Sequence, residues 1–164
     1  LKEWETPFPI YAHNRDQEMF AGLSYKGVTE GKVIEAGQPL LLGPFEVSFC
    51  ETIHPVYCLA MKFTAKGKSV VFTADTEWKD ELIDFSRHAD LLVCESNLYE
   101  KYRGIIKGHL SGKQAGELAE RAEAKKLRLT HLPQYGELEE ILEAARSSYS
   151  GNVEFAKIGA VYEI

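Results

Sequence analysis

The sequence predicts an α/β domain in which β-sheets are covered by helices. The first half, up to Asp75, is a series of apolar strand-like runs separated by short turns, and the second half alternates helix-like with strand-like segments. The chain has 164 residues, of which 45% are hydrophobic and 27% are charged. These values are ordinary for a soluble globular protein and predict one domain over residues 1–164.

In the first half, each predicted element follows from a local pattern. Residues 8–12 are predicted to be a short strand, and residues 15–25 a helix with Asn14 as its N-cap. The alternation in Phe45-Glu-Val-Ser-Phe49 is typical of a strand with one wet face, and Ala-Lys-Gly-Lys at 65–68 indicates a hairpin turn. The strands predicted after the first helix are 32–36, 45–52, 56–64 and 69–74.

In the second half, helical periodicity predicts helices at 77–87, 112–124 and 138–149. Short apolar runs between them predict strands at 91–94, 127–130 and 153–156, with a further strand left open at 161–164. Strands that alternate with helices form parallel sheets, and such sheets collect ligands just beyond the carboxyl ends of their strands. Asp75 and His131 each stand directly after a predicted strand, where this rule places functional residues.

Charge, hydropathy and cysteine content narrow the class of protein. The net charge of −6 argues against a dedicated nucleic-acid binder, because a phosphate backbone is gripped by positive charge. No apolar run reaches the roughly 18 residues that a membrane span requires. The three cysteines, Cys50, Cys58 and Cys94, form no Cys-x-x-Cys pair, which predicts reduced thiols. We therefore expect a cytoplasmic protein with no membrane partner.

Three histidines and one aspartate stand at strand ends or turns, in the order His54, Asp75, His109, His131. Neutral imidazole nitrogens and carboxylate oxygens are the ligands that zinc prefers. Each residue alone also has a plain structural interpretation: a histidine at a strand end can be a hydrogen-bonded scaffold residue, Asp75 can cap the next helix, and His109 can merely flank a helix start at Ser111. His13 and His88, in polar settings, are predicted to be surface residues.

Five segments together resemble the metallo-β-lactamase fold superfamily, and most of all the small bacterial hydrolases of its ribonuclease Z-like branch. They are TIHPV (52–56), VFTADT (71–76), ADLLVCE (89–95), GHLSGKQAG (108–116) and LRLTHL (127–132). The resemblance implies a four-layer αββα sandwich with a binuclear metal site at one edge of the two sheets.

The resemblance also implies a role for each residue. His54 would complete the shell of the first metal, Asp75 would bridge the two metals, and His131 would be a ligand of the second. His109 would lie beside the scissile bond, to stabilise developing charge or protonate a leaving oxygen. Asp75 and His109 are thus the predicted catalytic residues. Glu95 occupies an often acidic position, and a salt bridge or strand-end hydrogen bond is the expected account of it.

One part of the family pattern is not found in the sequence. The family signature H-x-H-x-D-H is absent, since no two histidines are closer than the 21 residues between His88 and His109. The 164 residues thus resemble the later two-thirds of such a domain, with the N-terminal part missing. His54, Asp75 and His131 alone are too few ligands for two zinc ions. We therefore expect competence only together with a segment that carries the signature.

The spacing between two of these residues bears on the substrate. Many ribonuclease Z proteins carry a tRNA-clamping insertion between the positions of His54 and Asp75, which here are 75 − 54 = 21 residues apart. This predicts a small phosphodiester or related ester rather than tRNA. The metal is expected to be zinc, with manganese or iron compatible with the same ligands. A non-catalytic, metal-poor binding or scaffolding relative and an unrelated α/β domain are the alternatives, and an oligomer is left open.

Overall fold

The computed structural model describes residues 6–164. Its strands are β1 (Phe8–Ala12), β2 (Thr29–Val33), β3 (Leu40–Leu42), β4 (Phe45–Glu51), β5 (Leu59–Ala65), β6 (Lys68–Phe72), β7 (Leu91–Glu95), β8 (Lys126–Thr130) and β9 (Asn152–Phe155). Its α-helices are α1 (Gln17–Ala21), α2 (Glu81–Phe85), α3 (Gly112–Arg121) and α4 (Leu138–Arg146), and a 3₁₀ turn spans Glu100–Tyr102.

Strands β3 to β9 form one seven-stranded mixed sheet in sequence order. Strands β3 to β6 are antiparallel neighbours, whereas β6 to β9 run parallel to one another, with helices in the connections. Strands β1 and β2 form a separate parallel pair around α1. The predicted division into an antiparallel first half and a βα second half is confirmed. The parallel half matters most for function, because its strand ends share one edge of the sheet.

The main core lies between the parallel half of the sheet and helices α2 to α4. Val71, Leu92 and Leu127 are in register on adjacent strands and are fully buried against these helices. Helices α3 and α4 approach closely because Gly116 faces α4: a Cβ there would lie 2.4 Å from the carbonyl oxygen of Ala145. This packing holds α3, and therefore the loop before it, firmly against the sheet.

The start of α3 is fixed by a capping box. The Ser111 hydroxyl accepts a hydrogen bond from the Gln114 backbone N–H at 3.2 Å, and the Gln114 side chain accepts one from the Ser111 N–H at 3.1 Å. This confirms the predicted cap. Because His109 lies two residues before Ser111, the box also limits where the His109 backbone can move.

Several predicted element ends were wrong. The first helix spans only Gln17–Ala21 and is capped by Asp16, whose carboxylate accepts from the Met19 N–H, rather than by Asn14. The strand expected at 32–36 lies at Thr29–Val33, β3 was not predicted, and no strand forms at 161–164 within the described residues. His13 is half-buried and packs against Tyr57, whereas the surface prediction holds for His88.

No helix within residues 6–164 is long and apolar enough to cross a membrane. All three cysteines are free, and of these Cys94 is buried while Cys50 and Cys58 are half-buried. Cys94 lies in β7 among the core side chains, where burial raises the pKa of its thiol. Cys58 contacts a residue of the site described below.

An ion cluster around the buried Asp90 ties the starts of β6 and β7 to the loop after α3. The Asp90 carboxylate accepts hydrogen bonds from the Lys125 ammonium at 2.8 Å, the Ser69 N–H at 2.9 Å and the Lys68 ammonium at 3.2 Å. Burial alone would raise the pKa of Asp90, but these three donors outweigh it and lower the pKa from 3.8 to about 2. The folded protein therefore favours the ionised form of Asp90 more than the unfolded chain does.

The free energy of unfolding should consequently fall in acid, because Asp90 becomes protonated. Because the folded pKa lies below the unfolded one, the contribution is fully present above pH 3.8 and is lost as the pH falls toward 2. Asp90→Asn should cost about 1–3 kcal/mol at neutral pH and flatten this acid limb. Urea unfolding between pH 7 and 2 measures both effects, with the exposed Asp84→Asn as control. An identical acid limb in Asp90→Asn and the wild type would contradict the assignment.

Candidate metal site

Four side chains from separate loops meet at one edge of the seven-stranded sheet. Asp75 follows β6, His131 follows β8, His54 lies in the loop between β4 and β5, and His109 lies just before α3. Within the described residues, one ligand atom each of His54, Asp75 and His109 lies within 4.8 Å of the other two. The His131 ring stacks on that of His109, with centroids 5.1 Å apart.

Asp75 lies at the centre of the group. Its Oδ2 atom is 4.0 Å from His54 Nε2 and 3.8 Å from His131 Nε2. The chain turns sharply out of β6 at Ala74, which adopts a left-handed conformation with φ of 53°. The backbone after the turn is held by the Thr52 hydroxyl, which donates to the Asp75 carbonyl oxygen at 2.9 Å. The Asp75 carboxylate is thereby left free to face the imidazoles.

His54 is oriented by its own loop. Its Nδ1 atom is 2.8 Å from the Val56 carbonyl oxygen and 3.2 Å from the Val56 nitrogen. We assign the ring proton to Nδ1 as a donor to the carbonyl, because that contact is the shorter one. Nε2 then keeps its lone pair and faces Asp75. The Cys58 thiol lies against the same ring, 3.6 Å from Nδ1.

His131 is placed by a second left-handed turn, with φ of 50° directly after β8. Its carbonyl oxygen accepts a hydrogen bond from the Asn97 side-chain amide at 3.0 Å. The Ser96 N–H donates in turn to the Thr130 carbonyl oxygen at 3.0 Å. The loop after β7 therefore positions the backbone that carries His131.

His109 is held from behind by Glu95, the last residue of β7. The His109 Nδ1 and Glu95 Oε1 atoms are 3.0 Å apart. Glu95 is only 1% exposed, and its two oxygens also accept from the backbone N–H groups of Thr76 at 2.9 Å and Asn97 at 3.1 Å. A carboxylate surrounded by donors favours the tautomer with the proton on His109 Nδ1. Nε2 of His109 is then available to the site.

Burial acts on the two members of this pair in the same direction, toward their neutral forms. It raises the pKa of Glu95 to about 7, although backbone N–H donors such as that of Thr76 pull the pKa downward. Burial also lowers the pKa of His109 below its ordinary value; the nearby Asp75 carboxylate opposes this, and His54 adds to it. Burial therefore favours the uncharged forms of both the Glu95 carboxyl group and the His109 ring.

Gly108 is required for the approach of His109 to His54. Its φ of +89° lies in the left-handed region, and a Cβ there would stand 2.7 Å from Pro55 Cδ and 2.8 Å from His54 Cδ2. Its N–H donates to the Glu77 carboxylate at 3.1 Å. The turn thus brings the loop before α3 into contact with the loop that carries His54, and the two rings meet edge to face at 5.4 Å.

The structure brings together all four residues that were singled out from the sequence. The alternative of Asp75 as a helix cap was wrong, because α2 begins at Glu81 with Asp80 as its N-cap. The role of Glu95 was only partly anticipated: it does make strand-end hydrogen bonds, but its contact with His109 was not foreseen. The signal available from the sequence was an acidic residue directly after the strand predicted at 91–94.

The donor atoms suit a divalent cation such as zinc. Zinc binds imidazole nitrogen and carboxylate oxygen at ~2.0–2.2 Å, and the separations of 4.0 and 3.8 Å around Asp75 are about twice that distance. The Nδ1–H of His54 is bonded to a backbone carbonyl, which is the usual way in which a ligating histidine is oriented. His54, Asp75 and His131 therefore form a chemically coherent partial ligand set.

Comparison with known proteins agrees with this architecture. A family model described as "Beta-lactamase superfamily domain" matches residues 1–132. The probable metallo-hydrolase YhfI of Bacillus subtilis is 42% identical over 163 residues, covering 99% of this chain and 67% of that protein. Its crystal structure superposes with a TM-score of 0.90 at 44% identity, over 94% of this chain and 64% of that one.

Two other similar proteins are a ribonuclease Z and a diphosphatase. Ribonuclease Z of Chlamydia trachomatis serovar D is 34% identical over 108 residues, covering 64% of this chain and 35% of that protein. A diphosphatase of the PhnP family superposes with a TM-score of 0.71 at 17% identity, over 95% of this chain and 58% of that chain, and shows the fold alone. The chain thus spans about a third to two-thirds of the length of these relatives. It belongs to the beta-lactamase superfamily and has the predicted metallo-β-lactamase fold.

Proposed function

We propose that this chain carries the central part of the active site of a metal-dependent hydrolase. The enzyme would use a metal-activated water on a small phosphodiester or related ester. The observation that supports this most directly is the approach of His54 Nε2 and His131 Nε2 to one Asp75 carboxylate oxygen, at 4.0 and 3.8 Å. YhfI, the relative with 42% identity, is described as a probable metallo-hydrolase.

In this proposal His54, Asp75 and His131 would hold the metal, and the Asp75 carboxylate would serve as a ligand common to the site. Bound divalent ions would lower the pKa of water toward ~7 and polarise the oxygen of the scissile group. Zinc is the expected ion, and manganese or iron suits the same ligands. The remaining ligands would come from a segment with the H-x-H-x-D-H signature, because three side chains are too few for two ions.

His109 acts in the proposal on the substrate rather than on the metal. Its Nδ1–H is bonded to Glu95, so that Nε2 can receive a proton and deliver it to a leaving oxygen. The buried Glu95 stabilises the charged ring while it carries that proton, in the way a carboxylate supports a catalytic imidazole. The stacking of His109 on His131 holds the ring beside the ligand group.

The chain segment between His54 and Asp75 is short, which favours a small substrate. Strands β5 and β6 form a tight antiparallel hairpin, with Ala65 paired to Lys68, and no arm projects from it. The net charge of −6 adds no attraction for a polynucleotide. Although relatives include ribonuclease Z, we therefore propose a small phosphodiester and not tRNA as the substrate.

The proposal is tested by metal removal. The complete protein is expected to contain a divalent metal, to hydrolyse bis-p-nitrophenyl phosphate, and to lose this activity in a chelator. Because the metal supplies the activated water, adding back zinc, manganese or iron should restore the rate. Elemental analysis and the release of p-nitrophenolate are the two measurements, made on the complete protein and on residues 1–164 in parallel.

Two results would argue against the proposal. Hydrolysis that continues at the same rate in fully metal-free protein would rule out a metal-dependent reaction. Retained metal with no turnover of phosphodiesters, carboxylic esters or thioesters would favour the non-catalytic binding relative. Equal metal content and rate in residues 1–164 and the complete protein would show that no further segment is needed.

A further inference from the structure

An open groove borders the loop that carries His54. We call it the apolar groove; its main walls are Met19, Phe20, Leu23 and Val56, and its volume is about 320 Å³. This volume is at the lower end of the range of ~300–1,000 Å³ typical of small-molecule sites. Met19 is 75% exposed and Val56 is 66% exposed, so two large apolar side chains face solvent side by side.

The apolar groove adjoins the His54 loop through one residue, Val56. Val56 forms part of its wall, and the carbonyl oxygen of the same residue accepts the hydrogen bond from His54 Nδ1 at 2.8 Å. The groove therefore lies on the Nδ1 side of the His54 ring, whereas Nε2 faces Asp75 on the other side. A molecule that reacts at Asp75 and His54 can extend an arm over Val56 into the groove.

The charges around the apolar groove favour an uncharged arm. Among residues 6–164, neither lysine nor arginine lines it, and the one carboxylate there, Asp16, already accepts from the Met19 N–H at 2.9 Å as the cap of α1. His13 lies at the boundary, with its Nδ1 atom accepting from the Arg15 N–H at 3.3 Å. A negatively charged group would gain no cation in the groove, whereas an apolar group would cover Met19 and Val56.

A second cavity, of about 400 Å³, lies next to the groove and shares His13 with it. It is polar and combines Arg15 with the carboxylates of Glu35 and Glu51. The Arg15 guanidinium already stacks over the Tyr57 ring, 4.8 Å from its centroid. This mixture of charges favours neither an anionic nor an apolar ligand. Of the two cavities, the apolar groove therefore shows the clearer preference for one kind of ligand.

We propose that the apolar groove is a substrate subsite for an uncharged aryl or alkyl arm of the ester that reacts at Asp75 and the neighbouring histidines. The inference rests on the proposed hydrolase function, and it adds the class of substrate: an ester with one apolar substituent. Met19 and Val56 determine this preference by direct contact with the arm.

Binding to the metal-free complete protein tests the subsite independently of turnover. The probe is 1-naphthyl methyl phosphate, followed by naphthalene fluorescence. Met19→Gln is expected to weaken its binding roughly 5- to 30-fold, since a large apolar contact surface is lost. Leu41→Gln is the matched control, because Leu41 is 76% exposed and lies on β3, outside the groove. Unchanged affinity in Met19→Gln, or an equal loss in Leu41→Gln, would overturn the subsite.

The rate of hydrolysis is the second measurement that tests the subsite. Two substrates share a p-nitrophenyl leaving group and differ in the other arm, methyl or 1-naphthyl. Met19→Gln should lower kcat/KM for the naphthyl ester by the same roughly 5- to 30-fold and leave the methyl ester unchanged. Normal turnover with no change in this preference refutes the subsite alone. If Met19→Gln weakens binding of the naphthyl probe but neither ester is hydrolysed by the wild type, the hydrolase proposal is refuted and the binding groove is retained.

Self-association is the competing use of an exposed apolar groove. Sedimentation velocity of the wild type and Met19→Gln distinguishes it. A wild-type dimer that becomes monomeric in Met19→Gln would show that a second copy of the chain covers the groove, and would overturn the proposal. A wild type that has the same mass as Met19→Gln supports a groove open to substrate.

Discussion

Asp75→Asn is expected to remove tight metal binding and turnover together. Within residues 6–164, the Asp75 carboxylate lies 4.0 Å from His54 Nε2 and 3.8 Å from His131 Nε2. A neutral amide is a weaker ligand and cannot share a negative charge between two cations. Metal affinity should fall by roughly 100-fold or more, beyond the ~10–100-fold that loss of a ligand's supporting hydrogen bond costs.

The loss of turnover should be larger than the loss of affinity. Activation of water and neutralisation of developing charge by a metal are worth several kcal/mol, and about 4 kcal/mol corresponds to roughly 1,000-fold in rate. The rate of bis-p-nitrophenyl phosphate hydrolysis at saturating metal should therefore drop by at least ~10³. Isothermal titration with zinc or manganese measures the affinity on the same preparation.

We expect the Asp75→Asn variant to fold normally, so that a loss of metal binding can be assigned to the carboxylate itself. The loop at Asp75 is held through its backbone carbonyl, which accepts from the Thr52 hydroxyl, and not through its carboxylate. The metal-free variant should thus unfold at the wild-type temperature, as followed by circular dichroism. Asp84→Asn, on the exposed surface of α2, controls for the loss of one negative charge. Wild-type metal affinity in Asp75→Asn would show that the site does not use this carboxylate.

The convergence at Asp75 could be predicted because parallel strands share an edge. Strands β6, β7 and β8 are parallel neighbours, so the residues after them, among them Asp75 and His131, had to emerge at the same edge of the sheet. His54 was placed in the same way, after the strand predicted at 45–52, and His109 was singled out before the helix start at Ser111. Resemblance to a known family then implied a role for each residue. The family and fold predicted in this way were confirmed by the comparisons.

The less successful predictions failed where side chains compete with secondary structure. The strand expected from residue 56 begins only at Leu59, because the backbone around Val56 is engaged with the His54 ring. The helix expected from residue 77 begins at Glu81, because the Glu77 N–H donates to the Ile53 carbonyl oxygen at 2.7 Å. Helix and strand propensities cannot reveal such contacts, because the group that binds the backbone is distant in sequence or belongs to the candidate metal site.

The Glu95–His109 contact could not be predicted for a related reason. The two residues are separated by a 14-residue span that contains a 3₁₀ turn and the left-handed Gly108, so their approach depends on the path of an irregular loop. From the sequence, Glu95 was an acidic residue after a predicted strand, with a salt bridge or strand-end hydrogen bond expected but no partner identified. Its near-complete burial, visible only in the fold, distinguishes it from the others.

His109→Ala is expected to lower turnover by roughly 10²–10⁴-fold, the usual contribution of a general acid or base, while metal affinity stays within about threefold. The imidazole is fixed by Glu95 behind it and by stacking on His131 beside it. Removing it takes away proton delivery to the leaving oxygen but leaves His54, Asp75 and His131 in place. Single-turnover hydrolysis and zinc titration on the same preparation measure the two effects separately.

The same experiment decides between two roles for His109. Its ligand atom lies within 4.8 Å of those of His54 and Asp75, so it is close enough to be a metal ligand in its own right. If His109 ligates, affinity should fall together with turnover in His109→Ala, which would contradict the proton-transfer role. His88→Ala, at an exposed histidine, is the control for general effects of the substitution.

Glu95→Gln extends the argument to the residue behind the imidazole. Each Glu95 oxygen accepts from a backbone N–H, of Thr76 or Asn97, so a side-chain amide must place its NH₂ group against one of these donors. The His109 ring should lose its fixed orientation, and turnover should fall by roughly 10–100-fold, as for other orienting partners. In a His109→Ala background the same change should cost almost nothing further, because residues acting as one unit are non-additive. Additive losses would mean that Glu95 acts independently of His109.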